Sequence, residues 1–406
     1  MNIYSGLCAG KVRKEKMKKT TVLFVVMIAV GVLCFADQEE IDMYEYLYNV
    51  SISHAAKLDI LQNMAEGEYS GAGEFYTRAL RRLIADYNNI KDVTERHAAD
   101  EQVTILSKLI GNERYSQAAP DLWLVVDGFA APLVKAEALM ALGKIHTDMY
   151  LPQVIRVLES LNTTPTADRL YGERVAFGAI LALEKFQDPS GYLPVYFASI
   201  GWYSDRIKSQ ANRSLPLIAE DPTPFMMEVI KGPGHNYYAK NAALRSMEAA
   251  KVDNKNKAEV AVAALTEGWR GATTDVQLRV TLADMRKLAI NMINRYKTDD
   301  ESVYPLLARS YTQGIDADEK LSAIAALASL GTEESAQRLS NFLMTLNNRR
   351  LNNVTTREDE QMVRAIIPAL GQAAQIVSRP ALEAVGASSW TPAVRALADD
   401  ALSKLP

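Results

Sequence analysis

Apolar side chains recur at intervals of three and four residues through most of the chain after Ile41. One series contains Ile324, Leu327 and Leu330. These intervals match the 3.6-residue period of an α-helix and not the two-residue alternation of a strand. The pattern therefore predicts an all-α protein. Residues 122–126 are the best candidate for a strand, but they equally suit a buried helix.

Short breakers rich in glycine, proline and aspartate divide the helical pattern at even intervals. They stand at Gly111, Gly143, Asp188-Pro189, Asp221-Pro222, Gly232-Pro233, Gly314, Gly331 and Gly371. Gly111 and Gly143 are 32 residues apart, and Gly331 and Gly371 are 40 apart. These separations bracket the usual length of a repeat made of two helices. The chain is therefore expected to repeat a helix pair.

Several breaker residues have expected local roles. Glycine at the end of a helix is expected to adopt the left-handed conformation that closes the last turn. Pro152 and Pro194 are expected in first helical turns, where a missing N–H costs nothing. Asp188 and Asp316 are expected to cap a helix or turn.

Residues 182–189 read Ala-Leu-Glu-Lys-Phe-Gln-Asp-Pro, and Leu193-Pro194 comes shortly after them. This segment resembles HEAT repeats, including the short HEAT-like type of phycobilin-lyase-related proteins. The resemblance implies an α-solenoid of about seven stacked helix pairs over residues 99–406. Residues 37–98 lack the repeat and are expected to form an N-terminal helical cap. The alternative is an irregular all-helical domain.

The N-terminal segment has the three parts of a secretory signal peptide. Six basic side chains and one acidic side chain lie between Lys11 and Lys19, and an apolar run occupies residues 22–36. The run is shorter than the roughly 18–20 residues of a membrane-spanning helix, which favours a cleaved leader ending at Ala36. The alternative is an uncleaved N-terminal anchor. Met17 also begins a complete leader, so residues 1–16 are a candidate misassigned start.

Removal of this leader would change the charge and the cysteine content of the protein. The whole chain has 406 residues and a net charge of −4, and loss of residues 1–36 changes that charge to −9. Both cysteines, Cys8 and Cys34, would also be lost. An acidic chain argues against a nucleic-acid partner. A mature chain without cysteine needs no disulfide and has no thiol nucleophile. Lipidation of Cys34 is the alternative that would anchor the protein to a membrane.

Candidate catalytic and metal motifs are weak. The four histidines, His54, His97, His146 and His235, are not spaced as metal-ligand pairs, and no Gly-x-Ser-x-Gly sequence occurs. The acids of residues 316–319 suit a helix start better than a calcium loop. We therefore expect no enzyme activity, metal or cofactor. Residues 346–360 are polar and are expected to form an extended loop that ends at a helix capped by Thr355 or Thr356.

Aromatic residues are the one positive indication of a binding site. Tyrosine outnumbers phenylalanine, 18 to 9. Tyrosine and tryptophan are favoured at interfaces because they join a large apolar area to a polar tip. We expect a partner at one edge of the repeat array, and packing between helices is the alternative. The candidate partner-binding residues are Tyr192, Tyr196, Trp202, Tyr203, Tyr237, Tyr238 and Trp269.

Together these features predict an exported, non-catalytic scaffold, periplasmic or secreted. It would bind a protein or peptide of the cell envelope on the surface of the solenoid, with no nucleic-acid partner. Contact with a membrane would come only from the leader or a lipid anchor. One alternative is an envelope structural protein anchored through Cys34. Another, implied by the HEAT-like resemblance, is a lyase or ligand-binding protein.

Overall fold

The computed structural model describes residues 38–67, 69–271 and 273–406, and these residues contain helices and no strand. The prediction of an all-α protein is confirmed for them. Among the same residues, no helix combines the length and the apolar character that a membrane crossing requires. The predicted leader and Cys34 lie outside the described residues.

The chain divides into two compact units, the first ending at Glu220 and the second beginning at Asp221. The helices of the first unit are residues 38–50 (α1), His54–Gly67 (α2), Gly73–Asp86 (α3), Val93–Glu113 (α4), Ala119–Gly128 (α5), Pro132–Ile145 (α6), Leu151–Thr163 (α7), Arg169–Phe186 (α8), Tyr192–Ile200 (α9) and Asp205–Ile218 (α10). Residue 98, at which the sequence-based N-terminal cap ends, lies within α4.

The second unit is also built of helices. Its helices are Thr223–Lys231 (α11), Tyr237–Ala249 (α12), Asn254–Arg270 (α13), Val276–Tyr296 (α14), Val303–Gln313 (α15), Ala317–Leu330 (α16), Glu333–Leu351 (α17), Arg357–Ala373 (α18), Arg379–Ala387 (α19) and Pro392–Ser403 (α20).

Alternate helices pack against one another in each unit. In the first unit, α2, α4, α6, α8 and α10 form a row in which each helix contacts the next, while α3 packs on α5 and α7 on α9. In the second unit, α12 to α20 form a row of even-numbered helices and α11 to α19 a row of odd-numbered ones. An amphipathic helix pair cannot bury its apolar face alone, so each row extends a continuous core.

One type of connection recurs four times in the described residues. It consists of a left-handed residue, an extended residue, a three-residue 3₁₀ turn and a helix with proline in its first turn. The left-handed residues are Arg114, His146, Gln187 and Ala374. The corresponding prolines are Pro120, Pro152, Pro194 and Pro380. The expected places of Pro152 and Pro194 are therefore confirmed.

The breaker glycines do not share the expected role. Gly331 ends α16 in the left-handed conformation, with φ of 66°, whereas Gly232 and Gly314 end α11 and α15 with negative φ. Gly111, Gly143 and Gly371 lie inside helices, three residues before a left-handed residue of another type. They face alanines of the next helix in the row so closely that a β-carbon would stand 2.6–3.1 Å from an alanine Cα. Their role is to let the helix backbones approach.

Other local predictions have mixed outcomes. Asp316 caps α16 by accepting a hydrogen bond from the Glu319 N–H at 2.8 Å, as expected. Thr356 caps α18 in a reciprocal arrangement with Asp359. Residues 122–126 are helical and belong to α5. The long loop expected at 346–360 is wrong, because α17 continues to Leu351 and leaves only residues 352–356 as the connection.

Candidate partner-binding surfaces

The four candidate aromatic residues of the first unit lie mostly inside it. Tyr192, Tyr196 and Tyr203 are buried, with at most 5% of each residue exposed. Trp202 is half-buried. For these tyrosines the structure favours the alternative, packing between helices, over direct contact with a partner.

Trp202 and Tyr203, just before the start of α10, form hydrogen bonds with the end of α7. The Trp202 Nε1–H donates to the Leu161 carbonyl at 2.8 Å, and the Tyr203 hydroxyl donates to Asn162 Oδ1 at 3.0 Å. Their rings stack, with centroids 4.3 Å apart. Burial raises the pKa of the Tyr203 hydroxyl above its usual value, which suits a packed phenol.

Trp269, in the second unit, contacts two arginines. The guanidinium groups of the buried Arg286 and the exposed Arg309 lie 4.1 and 4.4 Å from the centroid of its ring. Its Nε1–H donates to Ser310 Oγ at 3.1 Å. Arg286 also donates two hydrogen bonds to the Glu319 carboxylate, at 2.6 and 2.9 Å. Trp269 is thus held in place by its surroundings.

A second buried ion pair joins α12 to α13, two residues before Trp269. Lys240 Nζ is 2.8 Å from Glu267 Oε2, and Arg270 is 2.6 Å from the other oxygen of Glu267. The Lys240 ammonium also lies 5.3 Å from the centroid of the Tyr237 ring, which is half-buried. Tyr238 differs from all the other candidates, because 55% of it is exposed. It is the candidate aromatic residue best placed to contact a partner.

The histidines form local contacts. His54 lies against Gln102, and burial lowers the pKa of its imidazole. His97 is 3.4 Å from Glu101 in an exposed helix-surface pair. The His146 ring contacts the Lys185 carbonyl at 3.0 Å. In the residues that the structure describes, no three His, Cys, Asp or Glu side chains are grouped so that they could hold a metal ion.

A polar groove in the first unit was not predicted from the sequence. Its volume is about 810 Å³, and it lies over the C-terminal ends of α4, α6 and α8. Arg114, Lys144, Lys185 and His146 line it, together with Glu184. The lining residues recur in successive connections, so the packing of one helix row brings them together.

Lys144 is the most enclosed cation of this groove. Its ammonium donates to Asn112 Oδ1 at 2.8 Å. Burial lowers the pKa of that ammonium, Glu137 opposes the effect, and repulsion from Lys108 and Lys185 adds to it. Burial likewise raises the pKa of the Glu137 carboxyl, against the attraction of Lys144 and Lys108. The groove therefore contains more positive charge than its own carboxylates balance.

A second, apolar groove lies on α6, α8 and α10. Its volume is about 440 Å³. Leu133, Met140, Leu170 and Phe177 line it, and the Arg206 guanidinium lies 5.6 Å from the centroid of the Phe177 ring. Leu133 is 50% exposed and Leu170 is 66% exposed. Large apolar side chains that share a concave surface are a common feature of docking sites.

The second unit has a groove of about 620 Å³ along α13. Its charges are mixed: Lys255 and Arg270 stand on its walls with Glu259, Asp299 and Asp300. Because both cations and carboxylates line it, the groove favours no single charge on a ligand.

No protein-family model matches the chain, and a search of curated proteins finds no match.

Proposed function

We propose that this protein is an exported, non-catalytic scaffold with a HEAT-like α-solenoid arrangement, which binds a protein or peptide of the cell envelope. The row of even-numbered helices in each unit, and the row of odd-numbered helices in the second unit, support the repeat arrangement. The single observation that carries the proposal is the connection that recurs at Arg114, His146, Gln187 and Ala374. A connection that repeats the same series of backbone conformations, followed by a helix with proline in its first turn, is typical of a repeat array.

The binding part of the proposal rests on surface features. Repeat arrays use extended surfaces to hold other proteins. The described residues offer two adjoining grooves on α6 and α8 and the exposed ring of Tyr238. Tyrosine gives a large contact area at a low entropic cost, so Tyr238 is suited to such a contact.

Site-specific photo-crosslinking tests the scaffold function. A photo-reactive amino acid replaces Tyr238 in cells that express the protein, and the crosslinked products are identified by mass spectrometry. The control places the same amino acid at Tyr46, which is 67% exposed. We expect a discrete adduct from position 238. A protein that stays an unmodified monomer at every exposed position tested would refute the scaffold function.

Tyr238→Ala gives a cleaner variant than Trp202→Ala. Tyr238 is exposed, so its removal is expected to weaken partner capture without lowering stability. Trp202 donates to the Leu161 carbonyl and stacks on Tyr203, so its removal would also loosen the first unit.

Export is tested separately. Mass spectrometry of the purified mature protein is expected to find an N-terminus at Asp37, which cleavage after Ala36 would produce. Labelling with a palmitate analogue tests the anchored alternative, since only a lipidated Cys34 would incorporate it. An N-terminus at Met1 or Met17 in the mature protein would contradict cleavage.

A further inference from the structure

We propose that the shared face of α6 and α8 binds an acidic peptide segment that carries a large apolar side chain next to its carboxylates. The inference rests on the proposed scaffold function and names its partner class and its site. The polar groove would take the carboxylates, and the apolar groove would take the apolar side chain.

The two grooves adjoin along the same helix face. Leu133, Glu137, Met140 and Lys144 of α6 are spaced by four, three and four residues. This spacing keeps side chains on one face of a helix, because each step comes close to a whole turn. The first three residues line the apolar groove and the last lines the polar one. A single extended peptide can therefore contact both.

The same order of side chains repeats on α8. Leu170, Arg174 and Phe177 line the apolar groove, and Lys185 lines the polar groove. The distance from Leu170 to Lys185 along a straight helix is about 22 Å, at 1.5 Å per residue. About seven residues of extended peptide span that length. The site thus matches a short segment and not a whole folded partner.

The charge of the site is unbalanced. Arg114 lines the polar groove and Arg174 the apolar one, and neither forms an ion pair in the part of the chain that the structure describes. Lys108 of α4 stands close enough to Lys144 and Glu137 to act on both electrostatically. Lys185 is paired with Glu184 at 3.2 Å, so the excess of positive charge comes from the other cations. Positive charge that is not matched within the protein is complementary to a negative ligand and speeds its approach.

The apolar groove distinguishes a peptide from other anions. Nucleic acids and heparin-like polymers would use only the cations, and the net charge of −4 on the chain opposes a long polyanion. Leu133, Leu170 and Phe177 offer an apolar surface for such a side chain, and charged side chains line the same groove. A peptide with an apolar anchor satisfies both parts of the site.

Fluorescence anisotropy with short labelled peptides of equal length tests the proposal on the purified protein. The first probe contains glutamates around a central leucine. In the second probe serine replaces that leucine, and in the third lysines replace the glutamates. We expect the first probe to bind, the second to bind about tenfold more weakly and the third not to bind. Raising sodium chloride to about 0.5 M should weaken the first, since screening shortens the range of the charges.

Two sets of variants locate the site. Lys108→Glu with Lys185→Glu should weaken the first probe at least about tenfold, and Leu133→Ser with Leu170→Ser should abolish its advantage over the second. All four side chains are exposed, so folding is expected to be kept, and circular dichroism checks it. The matched control is Arg364→Glu with Arg395→Glu, which makes the same change in net charge on exposed helix positions of the second unit.

Three outcomes would overturn the inference. One is a first probe that binds equally well to the Lys108/Lys185 variant and the control. Another is preferential binding of a single-stranded oligonucleotide or of vesicles containing phosphatidylglycerol, which would make the cations a polyanion or lipid site. The third is no binding of any acidic peptide. In that case a crosslinked partner at Tyr238 would still support the scaffold function, and only the proposed site and partner class would be refuted.

Discussion

Gly143 of α6 lies against the backbone of Ala182 in α8, and a β-carbon on Gly143 would stand 2.6 Å from the Ala182 Cα. The carbonyl oxygen of Ala182 would be 2.7 Å away. Because backbone atoms cannot rotate aside, Gly143→Ala must push the two helices apart. We expect it to lower the free energy of unfolding by about 1–3 kcal/mol, as measured by urea denaturation.

Gly386→Ala is the matched control for that substitution. Gly386 is also inside a helix, α19, but a β-carbon there would meet no atom within 4 Å. Alanine is the better helix former, so this change should raise the free energy of unfolding by about 0.5–1 kcal/mol. Equal effects of the two substitutions would mean that the contact with Ala182 does not limit the approach of α6 and α8.

The left-handed helix ends give a second prediction. Ala374 ends α18 at φ of 50° and ψ of 36°, and Gly331 ends α16 at φ of 66° and ψ of 12°. A side chain is disfavoured in this region by about 1–2 kcal/mol. Ala374→Gly should therefore stabilise the protein by about 1 kcal/mol, and Gly331→Ala should destabilise it by a similar amount. Calorimetry of the two variants should show melting temperatures that move in opposite directions.

The glycine pattern shows how far the sequence could predict this fold. The three- and four-residue spacing of apolar side chains was enough for the all-α class, because helix burial imposes that period locally. It could not separate a glycine that ends a helix from one that faces a neighbour. Gly143 and Gly331 look alike in the sequence, and the difference depends on a residue of another helix, Ala182.

The candidate site was less accessible to prediction for the same reason. A count of tyrosines does not tell which rings are buried. Tyr203, in the connection between α9 and α10, finds the partner for its hydroxyl in Asn162 of α7. Lys108, Lys144 and Lys185 are far apart in the sequence, and each alone is an ordinary surface or helix-end cation. Only the packing of α4, α6 and α8 brings them together. Their recurrence near successive connections was the one available signal.

The buried Arg286–Glu319 pair gives a third prediction. The two side chains are 8% and 0% exposed. Arg286→Met leaves the Glu319 carboxylate buried without its partner, and we expect a loss of about 3–5 kcal/mol of unfolding free energy. Adding Glu319→Gln removes the stranded charge and keeps an oxygen for the Ile315 N–H, so the double variant should regain part of that loss.

The matched comparison uses an exposed pair, Arg338 with Glu334, whose side chains are 31% and 50% exposed. Arg338→Met should cost at most about 0.5 kcal/mol, since solvent already screens this interaction. If both methionine substitutions cost the same, burial of the Arg286–Glu319 pair does not determine its contribution.

The cap of α16 gives a prediction for acid conditions. Burial alone would raise the pKa of the Asp316 carboxyl, but the Glu319 N–H and the Lys287 ammonium, 3.2 Å away, outweigh it and hold the pKa below its usual value. A carboxyl with a lower pKa in the folded state stabilises the protein above the pKa of the unfolded chain, about 3.9. That contribution is lost as the pH falls through the lower, folded value.

Asp316→Asn keeps a capping oxygen without the charge. Its deficit in free energy of unfolding relative to the unmodified protein should therefore be constant from about pH 5 to 7 and shrink below about pH 4. Urea denaturation across this range measures the difference, and a deficit that stays the same at about pH 3 would show that the charge of Asp316 does not stabilise the fold.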